Sequence, residues 1–144
     1  MKYVIMSAAL MLTAPAAKAE MGGVIGTWIT QDEDAKIEIA DCGDGTPCGK
    51  IVWVAPNVPG GGLDQNNPDA TLRTRSLIGV KIIWGYAAKN QAWKHGQIYN
   101  PQDGKTFRSS LKLASQDQLI VKGCLGPLCR SNVWTRSHPQ KEVS

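Results

Sequence analysis

Asp64, Asn66, Asn67, Asp69, Arg73 and Arg75 form the densest polar grouping in the chain. Arginines at i and i+2 on a strand point the same way, so Arg73 and Arg75 can face one carboxylate or phosphate. The internal alternative is that Asp64 or Asp69 pairs with them and pins a long loop over a barrel mouth. Other catalytic chemistry is thin. A serine triad needs a histidine base, and the sequence holds only His95, in a strand-like stretch, and His138, in a polar tail. The acidic cluster Gln31-Asp32-Glu33-Asp34 lacks the glycine and spaced ligands of a calcium loop and reads as a solvated turn. Gly60-Gly61-Gly62 is not a phosphate cradle, because no Lys-Ser/Thr follows it and no helical pattern opens after it. No catalytic residue, metal or cofactor is assigned. The chain is read as a binding protein rather than an enzyme.

The elements that position this grouping begin after a leader. Lys2 opens a positive region, Tyr3 to Ala14 is an apolar run, and Ala17-Lys18-Ala19 is a small-x-small cleavage signal. Residues 1–19 are expected to be a signal peptide and 20–144 a single domain. Loss of Lys2 and Lys18 takes the net charge from +4 to about +2. Such a charge, spread without any basic run, does not argue for nucleic acid or an anionic membrane. No membrane span is expected in the mature chain. Cys42, Cys48, Cys124 and Cys129 lie beyond the leader, which reads as disulfides in an oxidising compartment. Three connectivities are possible. The local one, Cys42–Cys48 with Cys124–Cys129, needs the least chain rearrangement, since Gly43, Gly45, Pro47, Gly126 and Pro127 allow tight turns. A four-cysteine zinc site would need shorter spacings.

Strands are expected at Gly26 to Thr30, Lys36 to Ala40, Lys50 to Ala55, Ser76 to Tyr86, Ala92 to Asn100, Lys105 to Ala114, Leu119 to Cys124 and Asn132 to Arg136. Ile37 and Ile39 alternate with Lys36 and Glu38, as in a half-buried strand. Asn100-Pro101-Gln102-Asp103-Gly104 carries hairpin chemistry. The stretch from Pro56 to Arg75 is a long loop, with one short helical turn expected to start at Pro68. No segment shows sustained helical periodicity. A meander of eight or nine short strands must close or leave bare edges, so an all-β, antiparallel up-and-down barrel is expected. Trp53, Trp84 and Tyr99 are expected to line whatever cavity such a barrel leaves.

Several blocks carry a family resemblance. They are Gly26-x-Trp28, Ile39-Ala40-Asp41-Cys42-Gly43, Cys48-Gly49-Lys50-Ile51-Val52-Trp53, and Asp64-x-Asn66-Asn67-Pro68 with Leu72-Arg73-x-Arg75 and Gly79. Further along come Trp93-x-x-Gly96-x-Ile98-Tyr99-Asn100-Pro101-x-Asp103-Gly104-Lys105, Gly123-Cys124, Cys129-Arg130 and Trp134-Thr135-Arg136. Together they resemble the bacterial exported family known as domain of unknown function 2147. The resemblance implies a lipocalin-like, calycin-type barrel and attaches no catalytic mechanism. It also implies a structural closure in which Arg136, on the last strand, covers Trp28, with Gly26 beside it. The chain is shorter than a typical lipocalin and lacks an obvious C-terminal helix. The expected function is binding of a small hydrophobic or amphipathic ligand in the barrel, with Arg73, Arg75, Asp64, Asn67, Trp53, Trp84 and Tyr99 as candidate contacts. The alternatives are a non-catalytic envelope or interaction protein with a packed barrel, and an enzyme acting on an envelope component through the 64–75 loop. The expected location is periplasmic or secreted, in a Gram-negative bacterium; the sequence is silent on oligomeric state.

Overall fold

A computed structural model describes residues 8–11 and 21–138. The expected leader therefore lies outside the described residues, except for positions 8–11. Nine strands follow a one-turn helix, α1 (Met21–Val24): β1 (Gly26–Ile29), β2 (Ala35–Asp41), β3 (Pro47–Val54), β4 (Lys81–Trp84), β5 (Ala87–Lys89), β6 (Ala92–Asn100), β7 (Lys105–Ser115), β8 (Gln118–Leu125) and β9 (Leu128–Arg136). Every pairing is antiparallel, in the order β4-β3-β2-β1-β9-β8-β7-β6-β5, and β4 also pairs with β6. That last pairing closes eight strands into a barrel and leaves β5 as an extra strand alongside β6. Closure removes the bare edges that an open meander would present.

Alternation fills the barrel. Ile37 and Ile39 on β2, Ile51 on β3, Ile83 on β4, Leu111 on β7, and Leu119 and Val121 on β8 are all buried in one core. Their neighbours Lys36, Glu38, Lys112 and Lys122 face outward. Glu38 and Lys50 meet at 3.8 Å with both ends exposed, so this pair adds little. Between Trp93 and Gly96 the β6–β7 register shifts, and His95 there has a φ of 61°. The bulge lets the Tyr86 ring lie against Gly96, where a Cβ would collide with it, while Tyr86 Oη donates to Ser109 Oγ at 2.8 Å.

One end of the barrel is a sealed floor. Trp28 is fully buried and its Nε1 donates to the Val24 carbonyl of α1 at 2.9 Å. The Arg136 guanidinium lies 4.2 Å from the Trp28 ring centroid. It also donates to the carbonyls of Ile25, Gly23 and Gln116 at 3.0, 2.8 and 2.9 Å. A cation over an indole contributes roughly 0.5–2 kcal/mol. Gly26 has a φ of 137°, and a Cβ there would sit 2.7 Å from Arg136 Nη1, so the closure requires glycine.

Two bonded cysteine pairs, Cys42–Cys48 and Cys124–Cys129, close the β2–β3 and β8–β9 turns, which is the local connectivity. The stretch Ser76 to Tyr86 is not one long strand. Only Lys81–Trp84 pairs regularly; Ser76 to Val80 turns instead, with Ser76 Oγ accepting from Ile78 N at 3.1 Å and Gly79 at a φ of 90°. Leu77 and Val80 are buried as anchors of this irregular segment, so their apolar character was not a strand pattern. The short helical turn is a 3-10 helix at Ala70–Leu72, capped by Asp69 rather than opened by Pro68.

Candidate functional site

The barrel end opposite the floor is covered by the segment 55–80, which leaves β3 and returns into β4. Its two arms pair briefly: Leu63 bridges to Ser76, Asp64 N donates to the Arg75 carbonyl at 3.0 Å, and Leu77 N donates to the Gly62 carbonyl at 2.8 Å. This pairing aims Asp64 into the protein, where it has no exposed surface. A carboxylate taken from water is costly unless its oxygens are paired and hydrogen-bonded. Both oxygens are. Oδ1 accepts from Tyr99 Oη at 2.5 Å. Oδ2 accepts from Asn67 Nδ2 at 2.8 Å and from Arg75 Nε and Nη2, each at 2.9 Å.

The rest of the loop is held by similar local bonds. Asn67 Oδ1 accepts from Asp69 N at 2.8 Å. Asp69 caps the 3-10 turn through Thr71 N and Oγ1; those bonds hold its carboxyl below its ordinary value, with a smaller contribution from the Arg73 and Arg75 charges. Asn66 Nδ2 donates to the carbonyls of Pro101 and Gln102 at 3.2 and 3.0 Å, tying the loop to the β6–β7 turn. Tyr99 lies beneath this cover. Burial first, and then its bond to the Asp64 carboxylate, push its phenol up to about 12.

Arg73 and Arg75 are not side by side on a strand. Arg73 caps the 3-10 turn and donates through Nε to the Asn67 carbonyl at 2.8 Å, while Arg75 is spent on Asp64. Their hydrogen bonds therefore go to different partners, a backbone carbonyl and the Asp64 carboxylate. Trp53 corrects a second expectation. It faces outward, 39% exposed, with Lys36 Nζ 5.4 Å from its ring centroid. Trp84 is half-buried at the edge of the core. Asp64, Asn67, Arg75 and Tyr99 are thus brought together as a closed internal cluster; Arg73 touches it only through the Asn67 carbonyl, and Trp53 and Trp84 stand apart.

Above the Trp28 floor, the barrel interior is filled by Ile83, Trp93, Leu111 and Trp134 together with the isoleucines of β2 and β3, all in one buried core. Among the described residues two concavities lie at the surface. One, about 280 Å³, runs between the end of β3 and the covering loop, lined by Val54, Ala55, Pro56, Gly61, Gly62, Ser76 and Ile78. The other, about 130 Å³, crosses the outer wall at His95, Arg108, Ser109, Ser110, Lys122 and Cys124. Sequence reasoning missed both. The available signal for the first was the triple glycine beside Ile78, an isoleucine that no strand alternation accounts for.

A closed eight-stranded antiparallel barrel, sealed at one end by a tryptophan beneath an arginine, defines a lipocalin-like protein. The structure is similar to that of protein HP1028 from Helicobacter pylori, described as belonging to the lipocalin family, with a TM-score of 0.68 and 22% sequence identity over 80% of this chain and 83% of that one. Residues 26–136 match the family described as an uncharacterized protein conserved in bacteria, DUF2147, and the chain belongs to that family. Comparison with curated proteins gives no match.

Proposed function

We propose that this is an exported, non-enzymatic binding barrel, freed of residues 1–19, that takes a small apolar or amphipathic molecule at its mouth groove rather than at its centre. The observation that carries this reading is the 280 Å³ groove beside the covering loop, where Ile78 is 51% exposed. Ligand pockets typically run from about 300 to 1,000 Å³, so a groove at the lower edge of that range suits a single short chain or ring. Gly61 and Gly62, both at positive φ and without side chains, leave the groove wall low. The two bonded cysteine pairs and the bacterial family agree with a location outside the cytoplasm.

Calorimetric titration with a medium-chain fatty acid and with a lysophospholipid tests the reading. The expected result is saturable binding that Ile78→Asp weakens about tenfold or more, since a tenfold loss needs only about 1.4 kcal/mol. Absence of saturable binding, or binding indifferent to Ile78→Asp, overturns it. The filled barrel centre favours a second reading, an interaction module with a packed barrel. In that case neither probe binds, and Ile78→Asp instead disrupts a protein contact. Catalysis through Asp64 is disfavoured, because both of its oxygens are already engaged.

A further inference from the structure

The wall formed by β7, β8 and β9 carries a charge imbalance that the whole-chain total conceals. Between Lys105 and Arg136 lie Lys105, Arg108, Lys112, Lys122, Arg130 and Arg136, against Asp117 alone. Arg136 and Asp117 face each other at 3.7 Å at the floor. The other five cations are exposed, and among the described residues none has a carboxylate within salt-bridge distance. The pairing registers Arg108 with Cys124, Ser110 with Lys122, and Cys124 with Cys129 place two of these cations on the outer face just below the β8–β9 turn. They line the 130 Å³ groove together with His95 and Ser110.

At the top of the same wall, Leu125-Gly126-Pro127-Leu128 forms a hairpin tip. Leu125 is 58% exposed and Leu128 77% exposed. The tip is not loose. The Cys124–Cys129 bond closes its base, and Arg108 Nη2 donates to the Gly126 carbonyl at 2.8 Å. A rigid turn that holds two leucines in water leaves apolar surface whose burial elsewhere is favourable.

We propose that this tip docks the protein on an anionic lipid bilayer, with Leu125 and Leu128 entering the acyl boundary and Lys122, Arg130 and Arg108 meeting the headgroup phosphates. Three residues of strand separate Lys122 from Leu125, about 10 Å. That spacing matches the depth of roughly 5–10 Å at which interfacial apolar groups lie below the charged layer. The cations are spread over β7, β8 and β9 and lack carboxylate partners, which suits a field of phosphates better than one bidentate protein contact. The mouth groove lies elsewhere, beside β3, so this docking stands independently of the ligand proposed there.

Flotation of the full chain with vesicles of phosphatidylcholine alone, and of phosphatidylcholine mixed with phosphatidylglycerol, tests the proposal. The wild-type chain is expected to float with the mixed vesicles and to be released by high salt. Leu125→Ser with Leu128→Ser, and separately Lys122→Gln with Arg130→Gln, should each lower the partition about tenfold or more, since each cation near such a surface contributes about 1 kcal/mol. All four positions are exposed, and an unchanged thermal midpoint checks that the variants remain folded. Equal binding to both vesicle types, binding to neither, or binding that survives either double substitution overturns the proposal. Survival of both would assign the binding to another segment of the chain. Binding to neither, together with self-association lost on Leu125→Ser with Leu128→Ser, would assign the tip to a protein contact.

Discussion

Asp64 decides how the polar grouping of this protein is to be understood. A carboxylate open to solvent in a ring-lined cleft would invite an acid–base role, but this one has no exposed surface and four donors on its two oxygens. It acts as an internal staple. Asp64→Asn keeps the shape and removes the charge, leaving Arg75 without its partner and setting an amide donor against other donors. Breaking a buried pair in this way costs about 3–5 kcal/mol. Arg75 is partly exposed and can recover some hydration, so the expected loss is about 3 kcal/mol, read as a lowered urea midpoint. An unchanged midpoint would remove Asp64 from its stapling role. The members 64, 67 and 75 were legible because they are close in sequence and chemically matched. Tyr99 was visible as a ring but not as a partner, because it lies 35 residues from Asp64 and only the barrel brings the two together. The different fates of Arg73 and Arg75 were illegible, since the i, i+2 rule holds on a strand and this segment is a turn.

At the scale of elements, the barrel comes from strand alternation and the site from the loop. The Asn100–Gly104 turn shows how the two are joined. Gly104 has a φ of 71°, and a Cβ there would collide with the Asn66 carbonyl, so the covering loop lies directly on this turn. Gly126, at a φ of 58° with open space around it, is an internal control. Alanine in the left-handed region costs about 1–2 kcal/mol by itself. Gly126→Ala should cost about that much. Gly104→Ala should cost more and should also lift the loop, so that hydrogen exchange at the Asp64 and Leu77 amides, which pair the loop arms, becomes faster. Equal costs at the two glycines, with exchange unchanged, would show that the loop does not rest on the turn. The turn itself was readable from its Pro and Asp-Gly. The misread strand Ser76 to Tyr86 fails for a related reason: Leu77 and Val80 are apolar because they anchor a loop, and apolar content without alternation does not separate these two uses.

For the molecule as a whole, short strands punctuated by turns implied closure, and closure is observed. The charge on the β7–β9 wall was not legible, because Arg108 and Lys122, far apart in sequence, come together on the outer face only after the barrel forms. The closed barrel also sets a response to pH. The Tyr99 phenol is pushed up to about 12 by burial and by Asp64, and the Tyr86 phenol is raised by burial, an effect its bond to Ser109 only partly offsets. In the unfolded chain both ionise near 10. Above that value the unfolded chain releases protons that the folded chain still holds, so stability is fully present below about pH 10 and falls as pH rises through the raised values. Each phenol contributes a slope of up to about 1.4 kcal/mol per pH unit. The described residues include no free cysteine, so thiolate chemistry does not supply a competing alkaline transition among them. Urea midpoints should therefore stay level to about pH 9 and then decline, more shallowly in Tyr86→Phe, which removes one of the two ionisations. A midpoint that holds steady from about pH 9 to pH 12 would mean that neither phenol is buried as the barrel places it.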